Sequence, residues 1–353
     1  MNTSKLNEYI YYKDKSHFEK KLESLISSFS KNKNSLAIIT DFDYTMTSLF
    51  DYSTGKQYKS SYYLYDANII GGDQKKFEEQ RNILNKEYAK YEFDTSYDFK
   101  IREKKMQEWY LKNIELYYDK KFTKDSIDIM VNKLKNNILF RPKLKEYIEL
   151  LMSKNIPLII ESGGITQFIY GALKLLFPDI DALIKQKKIT IISNSFKFDK
   201  DKGCYGVEHE VIHCFNKADF IGNTIHKEFP ELKHVFVLGD HLGDAECVKS
   251  FDKENVVGFG FLNLNKDILN NLKVMNKDIS LPVCDIHGRH LPIDTVDYTV
   301  WDDVDYRPTT DPDSCFGCIP WLPEIYCPTK AFKKDKTVDP ELCFGCGYCA
   351  TVC

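Results

Sequence analysis

The 353-residue sequence predicts an α/β fold built on a parallel sheet. Three observations carry that prediction. Short apolar runs recur at residues 36–39, 156–160, 189–192 and 235–238, each too short for a helix and bounded by polar residues. Segments with apolar residues at helical spacing separate them, and alternation of the two makes a parallel sheet. The runs also end in chemistry-bearing residues: Asp41 and Asp43 after the first, Ser162 after the second, Asp240 and Asp244 after the fourth. In an open α/β sheet the carboxyl ends of the strands are where ligands bind.

Taken in order, residues 5–32 have the pattern of an amphipathic helix leading into the first strand. A loop containing Tyr and Gly follows, to about residue 73. Three charged segments, 74–91, 99–118 and 124–137, then place apolar residues at helical spacing, as in Met106, Trp109, Tyr110 and Ile114. Together they predict a helical insertion over roughly residues 50–138, between the first and second strands. Pro142 suits a helix start for 143–154. A helix follows the second strand to about residue 176. Further strands are expected at 189–192, 211–215 and 256–261, with Lys200 to Gly203 a turn between the first two.

Composition sets limits on function. Apolar residues at 43 % and aromatics at 14 % belong to a globular chain. The formal charge of −3 predicts no general attraction to nucleic acid or to an anionic membrane. The N-terminus lacks an apolar signal core, and no run reaches the roughly 18 apolar residues of a membrane span. A soluble, cytoplasmic protein is the expectation. Three of the 11 cysteines, Cys204, Cys214 and Cys247, are scattered, and the other eight lie between Cys284 and Cys353. Such clustering in a cytosolic chain favours metal binding over disulfides. It divides the chain near residue 278 into a main domain (1–278) and a cysteine-rich tail (279–353).

In an extended chain Asp41 and Asp43 start on one side, so one is protonated or a cation sits between them. Several carboxylates, a hydroxyl at Ser162 and an ammonium at Lys217 suit a phosphoryl group bound beside a hard cation such as Mg²⁺. Ser162 and the N–H groups near Gly163 and Gly164 could hold phosphate oxygens at a helix N-terminus. Lys217 could neutralise charge in the transition state. A carboxylate can serve as nucleophile through an aspartyl-phosphate.

Asp41-Phe-Asp-Tyr-Thr45, Ser162, Lys217 and Gly239-Asp-His-Leu-Gly-Asp244 occur in the order of the haloacid-dehalogenase (HAD) superfamily, and the chain resembles its phosphatases. Met106-Gln-Glu-Trp-Tyr110, Ile192-Ser-Asn194, Phe196-Lys-Phe-Asp199 and Ile212-His-Cys-Phe-Asn-Lys217 resemble the cytosolic pyrimidine 5′-nucleotidase (type III) family, over about residues 5–275. The resemblance implies a Rossmann-like HAD core with the insertion as a helical cap. It implies Asp41 as nucleophile and Asp43 as the acid, then the base. Mg²⁺ would be held by Asp41, the Asp43 carbonyl and Asp240, with Asp244 supporting its shell and Lys217. Phosphate would bind Ser162, Gly163 and Lys217, and Glu92 would read the base of a nucleoside monophosphate. Departures are Gly163 where the family has Ala, Asn113 at a cap serine position, and His241 and Leu242 within the last motif. A phosphatase for another small phosphomonoester, or an iron–sulfur protein with an inactive phosphatase domain, are the alternatives.

In the tail, Cys343, Cys346, Cys349 and Cys353 have Cys-x₂-Cys-x₂-Cys-x₃-Cys spacing. That spacing resembles bacterial-type ferredoxins. The resemblance implies a [4Fe–4S] cluster on Cys343, Cys346, Cys349 and Cys327, and a redox partner. A second cluster would use Cys315, Cys318 and Cys353, with Trp321 where a further cysteine would stand. Zinc is the alternative occupant of these thiolates. Leu281-Pro-Val-Cys-Asp-Ile-His-Gly-Arg-His-Leu-Pro292 and Tyr298-Thr-Val-Trp-Asp-Asp303 also resemble ferredoxin-tailed archaeal proteins linked to homocysteine synthesis and methanogen metabolism.

Overall fold

The structure, a computed structural model, describes residues 15–32, 35–51, 54, 56–93, 97–240, 244, 247–261, 263, 283–284 and 290–291. Helix α1 (Lys15–Lys31) leads into strand β1 (Leu36–Asp41), buried along its whole length. Then come α2 (Gln74–Tyr88), α3 (Lys90–Phe93), α4 (Phe99–Glu115), α5 (Lys124–Leu134) and α6 (Leu144–Ser153). Strand β2 (Leu158–Ile165) is followed by α7 (Thr166–Leu176), α8 (Ile180–Lys185) and β3 (Ile189–Asn194). A hairpin of β4 (Phe196–Asp199) and β5 (Gly203–Val207) precedes α9 (Lys217–Glu228), β6 (His234–Gly239) and β7 (Val256–Gly260). A two-residue ribbon joins β8 (Val283–Cys284) to β9 (His290–Leu291).

The main sheet has the order β3-β2-β1-β6-β7, and every pairing is parallel. Central parallel strands are covered on both faces, which is why β1 reads as a continuous apolar run. Its side chains alternate between two cores. Ala37 and Ile39 pack with Ile159, Val235 and Val237 under α9, whereas Ile38 joins Leu158, Ile160 and Phe168 on the side of α7. On that second side Tyr117 and Phe122, between α4 and α5 of the insertion, pack against Phe168 and Phe196, with ring centroids 5.3–6.4 Å apart. Edge-to-face and tilted aromatic packing of this kind fixes orientation as well as burying area.

The insertion leaves and re-enters the core at one point. Thr47 and Phe140 form an antiparallel bridge, Ser48 N donates to Leu139 O (2.7 Å), and Arg141 N donates to Met46 O (3.0 Å).

Several local expectations need correction. Residues 211–215 are not a strand. Asn194 takes their backbone groups instead: its Oδ1 accepts from Ile212 N (2.8 Å) and its Nδ2 donates to Ile212 O (2.9 Å), while Asn216 Nδ2 donates to Val211 O (2.9 Å). Two side-chain amides thus do what a ladder would do, and the strand pair in this region is β4–β5. The turn at 200–203 closes that hairpin. Pro142 does not begin α6, because Lys143 is left-handed (φ 64°) and the helix starts only at Leu144. Strand β2 runs on to Ile165 through a register shift, so Ser162 lies within the strand rather than after it. The segment 74–91 breaks at Ala89 into α2 and α3.

The tail cysteines Cys315, Cys318, Cys327, Cys343, Cys346, Cys349 and Cys353 lie outside the described residues, as does the boundary near 278. Among the described residues, no helix is long and apolar enough to cross a membrane.

Asn194 is fully buried and also donates to Gly163 O (2.8 Å). Asn194→Ala leaves two backbone groups of Ile212 unpaired and takes one of two donors from Gly163 O, and is expected to cost about 2 kcal/mol. Urea denaturation of the two proteins measures this. A loss well below about 1 kcal/mol would contradict this account of residues 211–213.

Candidate active site

Three adjacent parallel strands bring acids to one edge. Asp41 ends β1, Glu161 is its register partner on β2, and Asp240 follows β6. The first residue of α9, Lys217, reaches into them from below the loop at 211–216. Its Nζ lies 2.7 Å from Asp244 Oδ1, 2.9 Å from Glu161 Oε2 and 3.2 Å from Asp41 Oδ1. All four side chains are buried.

Burial works against the lysine's charge, yet Asp244, Glu161 and Asp41 together hold its pKa well above the usual lysine range. Burial raises Asp41; Lys217 pulls it down, and Asp244, Glu161 and Asp240 push it up, leaving it well above the carboxylate range. Glu161 is pushed up to about 7, mainly by burial.

The oxygens of Asp41, Glu161 and Asp244 lie within 4.8 Å of one another. That space suits the lysine ammonium and is filled by it. Asp240 is also close enough to raise Asp41, and the two carboxylates offer the oxygen donors that a hard divalent cation takes.

Asp43 sits past the end of β1, in a turn that Tyr44 makes with a left-handed backbone (φ 66°). Ser61 grips its carboxylate twice, through the backbone N–H to Oδ1 (2.6 Å) and the hydroxyl to Oδ2 (2.7 Å). Burial still dominates, and Asp43 is raised to about 6 against the lowering effect of those two bonds. The turn is held from behind by Arg141, whose guanidinium donates to Tyr44 O and Thr45 O (both 2.6 Å) and to Asn263 Oδ1 (3.0 Å). Asn263 Nδ2 in turn donates to Tyr44 O (2.9 Å) and Asp240 Oδ2 (3.3 Å). One chain of bonds therefore ties the turn carrying Asp43 to Asp240.

Ser162 is buried and its Oγ accepts from Gly164 N (3.0 Å). A Cβ on Gly164 would press on the hydroxyls of both Ser162 and Ser61. The two serines thus face one space with Asp43. Gly163 O accepts from Tyr62 Oη and Asn194 Nδ2 (each 2.8 Å).

A cavity of about 640 Å³ opens from Asp43 into the insertion, lined by Tyr62, Arg81, Trp109, Tyr110 and Asn113 among others. Asn113 is turned back onto its own helix, donating to Trp109 O (2.9 Å). Glu92 is half-buried in α3 and does not line this cavity, but it is near enough to Tyr110 to help raise that phenol. His213 is buried and its imidazole is lowered to about 4 by that burial.

The family model for pyrimidine 5′-nucleotidases (UMPH-1) matches residues 44–282. The chain belongs to that family. The human 7-methylguanosine phosphate-specific 5′-nucleotidase is 31 % identical over 235 residues, which is 65 % of this chain and 73 % of that protein. A Caenorhabditis elegans relative is 26 % identical over 234 residues, and the match spans 60 % of its length. Cytosolic 5′-nucleotidase IIIB bound to cytidine superposes with a TM-score of 0.57 at 22 % identity, covering 75 % of this chain and 85 % of that one, and shares the fold. An uncharacterized protein of Methanocaldococcus jannaschii is 47 % identical over a further-limited 65 residues.

As a pyrimidine 5′-nucleotidase family member, the chain has an HAD-type α/β core and is a phosphatase by class. The edge of that core assembles Asp41, Asp43, Ser162, Lys217, Asp240 and Asp244 in one place. It also holds residues that sequence reading missed. Glu161 carried a signal, an acid at the end of an apolar run one residue before Ser162. Ser61, Arg141 and Asn263 carried none, being ordinary polar residues far along the chain from what they hold.

Gly239 is where this packing is tightest. A Cβ there would overlap the Asp244 carboxyl group, which accepts from Asp240 N (3.1 Å) and from Lys217. Gly239→Ala is expected to cost about 2 kcal/mol through overpacking. A denaturation midpoint equal to that of the unaltered protein would contradict the contact.

Proposed function

We propose that this nucleotidase hydrolyses nucleoside 5′-monophosphates through an aspartyl-phosphate on Asp41, with Mg²⁺ as cofactor. The observation that carries the reading is the pairing of two differently treated acids. Asp41 is held against a lysine, and Asp43 is held by Ser61 at the mouth of an aromatic cavity.

In the first half-reaction an Asp41 oxygen attacks phosphorus and the bond from phosphorus to the 5′ oxygen breaks. Asp43, whose raised pKa keeps it protonated in mildly acidic solution, gives its proton to the leaving oxygen. In the second, Asp43 takes a proton from water, which attacks phosphorus and releases phosphate from Asp41. Ser162, the Gly163 region and Lys217 bind the phosphoryl oxygens, and Asp244 keeps Lys217 in place. Asp41, the Asp43 carbonyl and Asp240 would hold the magnesium, which when bound offsets negative charge on the phosphoryl group.

The base would enter the insertion, where Trp109, Tyr110 and Tyr62 give it aromatic surface and Glu92 contributes from the side of Tyr110. A pyrimidine is the first reading. A second has support from the human relative and from Trp109, whose indole lines the cavity. The base of 7-methylguanosine monophosphate is cationic, and an indole face attracts a cation. The cytoplasm is the expected location. The insertion would serve as a cap over the site, and residues 279–353 would form a separate unit.

Phosphate release from UMP, CMP, 7-methylguanosine monophosphate and phosphoserine, with magnesium or EDTA, tests the reading. Release from a nucleotide should need magnesium and fall more than about a thousandfold in Asp41→Asn. Faster release from phosphoserine than from any nucleotide would overturn the substrate class.

For the tail, the spacing of Cys343, Cys346 and Cys349, with Cys327, supports a [4Fe–4S] cluster and a redox partner. Anaerobically purified full-length protein should then be brown and contain iron in about a 4:1 ratio to protein. Zinc without iron would overturn this.

A further inference from the structure

Beside Asp41 stands a second buried carboxylate that the reaction above leaves unused. Glu161 and Asp41 are register partners on adjacent parallel strands, so their side chains leave the sheet on the same side. Glu161 has no exposure to solvent. Its Oε2 accepts from Lys217 Nζ (2.9 Å) and from Cys247 Sγ (3.4 Å), while Oε1 has no partner among the described residues. A buried carboxylate with one oxygen unsatisfied is costly, and an apolar residue of similar size would serve packing better. Stability does not account for it.

The three bonds to Lys217 differ in where they are anchored. Asp244 lies beyond β6, Glu161 is on β2, and Asp41 is on β1. Once Asp41 carries the phosphoryl group, its own carboxylate charge is gone and Lys217 faces phosphoryl oxygens that move when water attacks, so the protein anchor on β1 weakens. A lysine is a point charge on a flexible four-carbon stem, and one remaining anchor would let it swing. Two anchors on either side of β1 do not.

We propose that Glu161 is a positioning residue. It pins the Lys217 ammonium from the β2 side, so that the lysine stays beside Asp41 through both half-reactions. Glu161 forms and breaks no bond to substrate. The inference rests on the nucleotidase reading given above.

Three variants test it. Glu161→Met removes the anchor and keeps the volume. Glu161→Asp keeps the charge but withdraws it by one methylene, and it decides the matter should the Met variant not fold. Glu161→Gln keeps the hydrogen bond to Lys217. Each is crystallised with beryllium trifluoride, which stands in for the phosphoryl group on Asp41, and assayed on the best nucleotide. In Glu161→Met and Glu161→Asp, Nζ of Lys217 should lie more than about 4 Å from Asp41. Their kcat should fall about ten- to hundredfold, with KM changing much less. Glu161→Gln should restore both the lysine position and most of kcat. A lysine that stays in place, or one that moves with kcat unchanged, overturns the proposal. Should the unaltered protein hydrolyse no phosphomonoester, the nucleotidase reading fails by itself, and the lysine position still decides whether Glu161 pins it.

Discussion

The structure turns on one ammonium group shared by three buried carboxylates. Lys217 meets Asp41, Glu161 and Asp244 within 3.2 Å, and nothing else among the described residues offers a counter-charge to that edge of the sheet at such distances. Remove it and two carboxylates face each other from neighbouring strands in a dry interior. Breaking one partner out of a buried ionic cluster is strongly destabilising because the others are left uncompensated. The start of α9 must therefore dock where it does, and the loop at 211–216 must be shaped to deliver it. Asn194 and Asn216 do that shaping with side-chain amides. Chemistry and folding share the same atoms here. The group that would steady a transferring phosphoryl is also the one that lets the acids be buried.

The division of labour between the two halves follows from their materials. The parallel sheet supplies the backbone on which the charges are placed side by side. The insertion supplies aromatic surface on helices, joined to the core through Tyr117, Phe122, Phe168 and Phe196. Ser61 is a polar point of contact between them. It comes from the segment after the first linker, yet its two bonds go to Asp43.

How much of this the sequence discloses depends on how local the cause is. Asp41, Asp43, Ser162, Lys217, Asp240 and Asp244 were legible because each belongs to a short motif beside an apolar run, and strand order at a parallel edge brings such ends together. The helices of the insertion were legible from their spacing, and only their ends were misplaced. Lys143 and Ala89 shift those ends through local backbone geometry that the apolar pattern does not encode. Residues 211–215 have a strand's composition, but their hydrogen bonds go to amide side chains that approach from elsewhere in the chain. Glu161 was visible as an acid in an apolar run, yet its meaning depends on the register of β1 against β2. Arg141 and Asn263 act across 97 and 219 residues from Tyr44, and no local pattern reaches that far.

The paired linkers at 46–48 and 139–141 have a consequence for how such a protein can change over evolutionary time. The insertion is a closed detour: its two ends meet, bridged by Thr47 and Phe140, before the chain resumes toward β2. To the rest of the chain, everything between is topologically equivalent to a short turn. A lineage could lengthen, shorten or exchange the detour without altering a strand's neighbour or the position of a single sheet-borne charge. What the enzyme accepts can drift while what it does to the phosphate stays fixed, provided that some residue in the new segment still takes the place of Ser61.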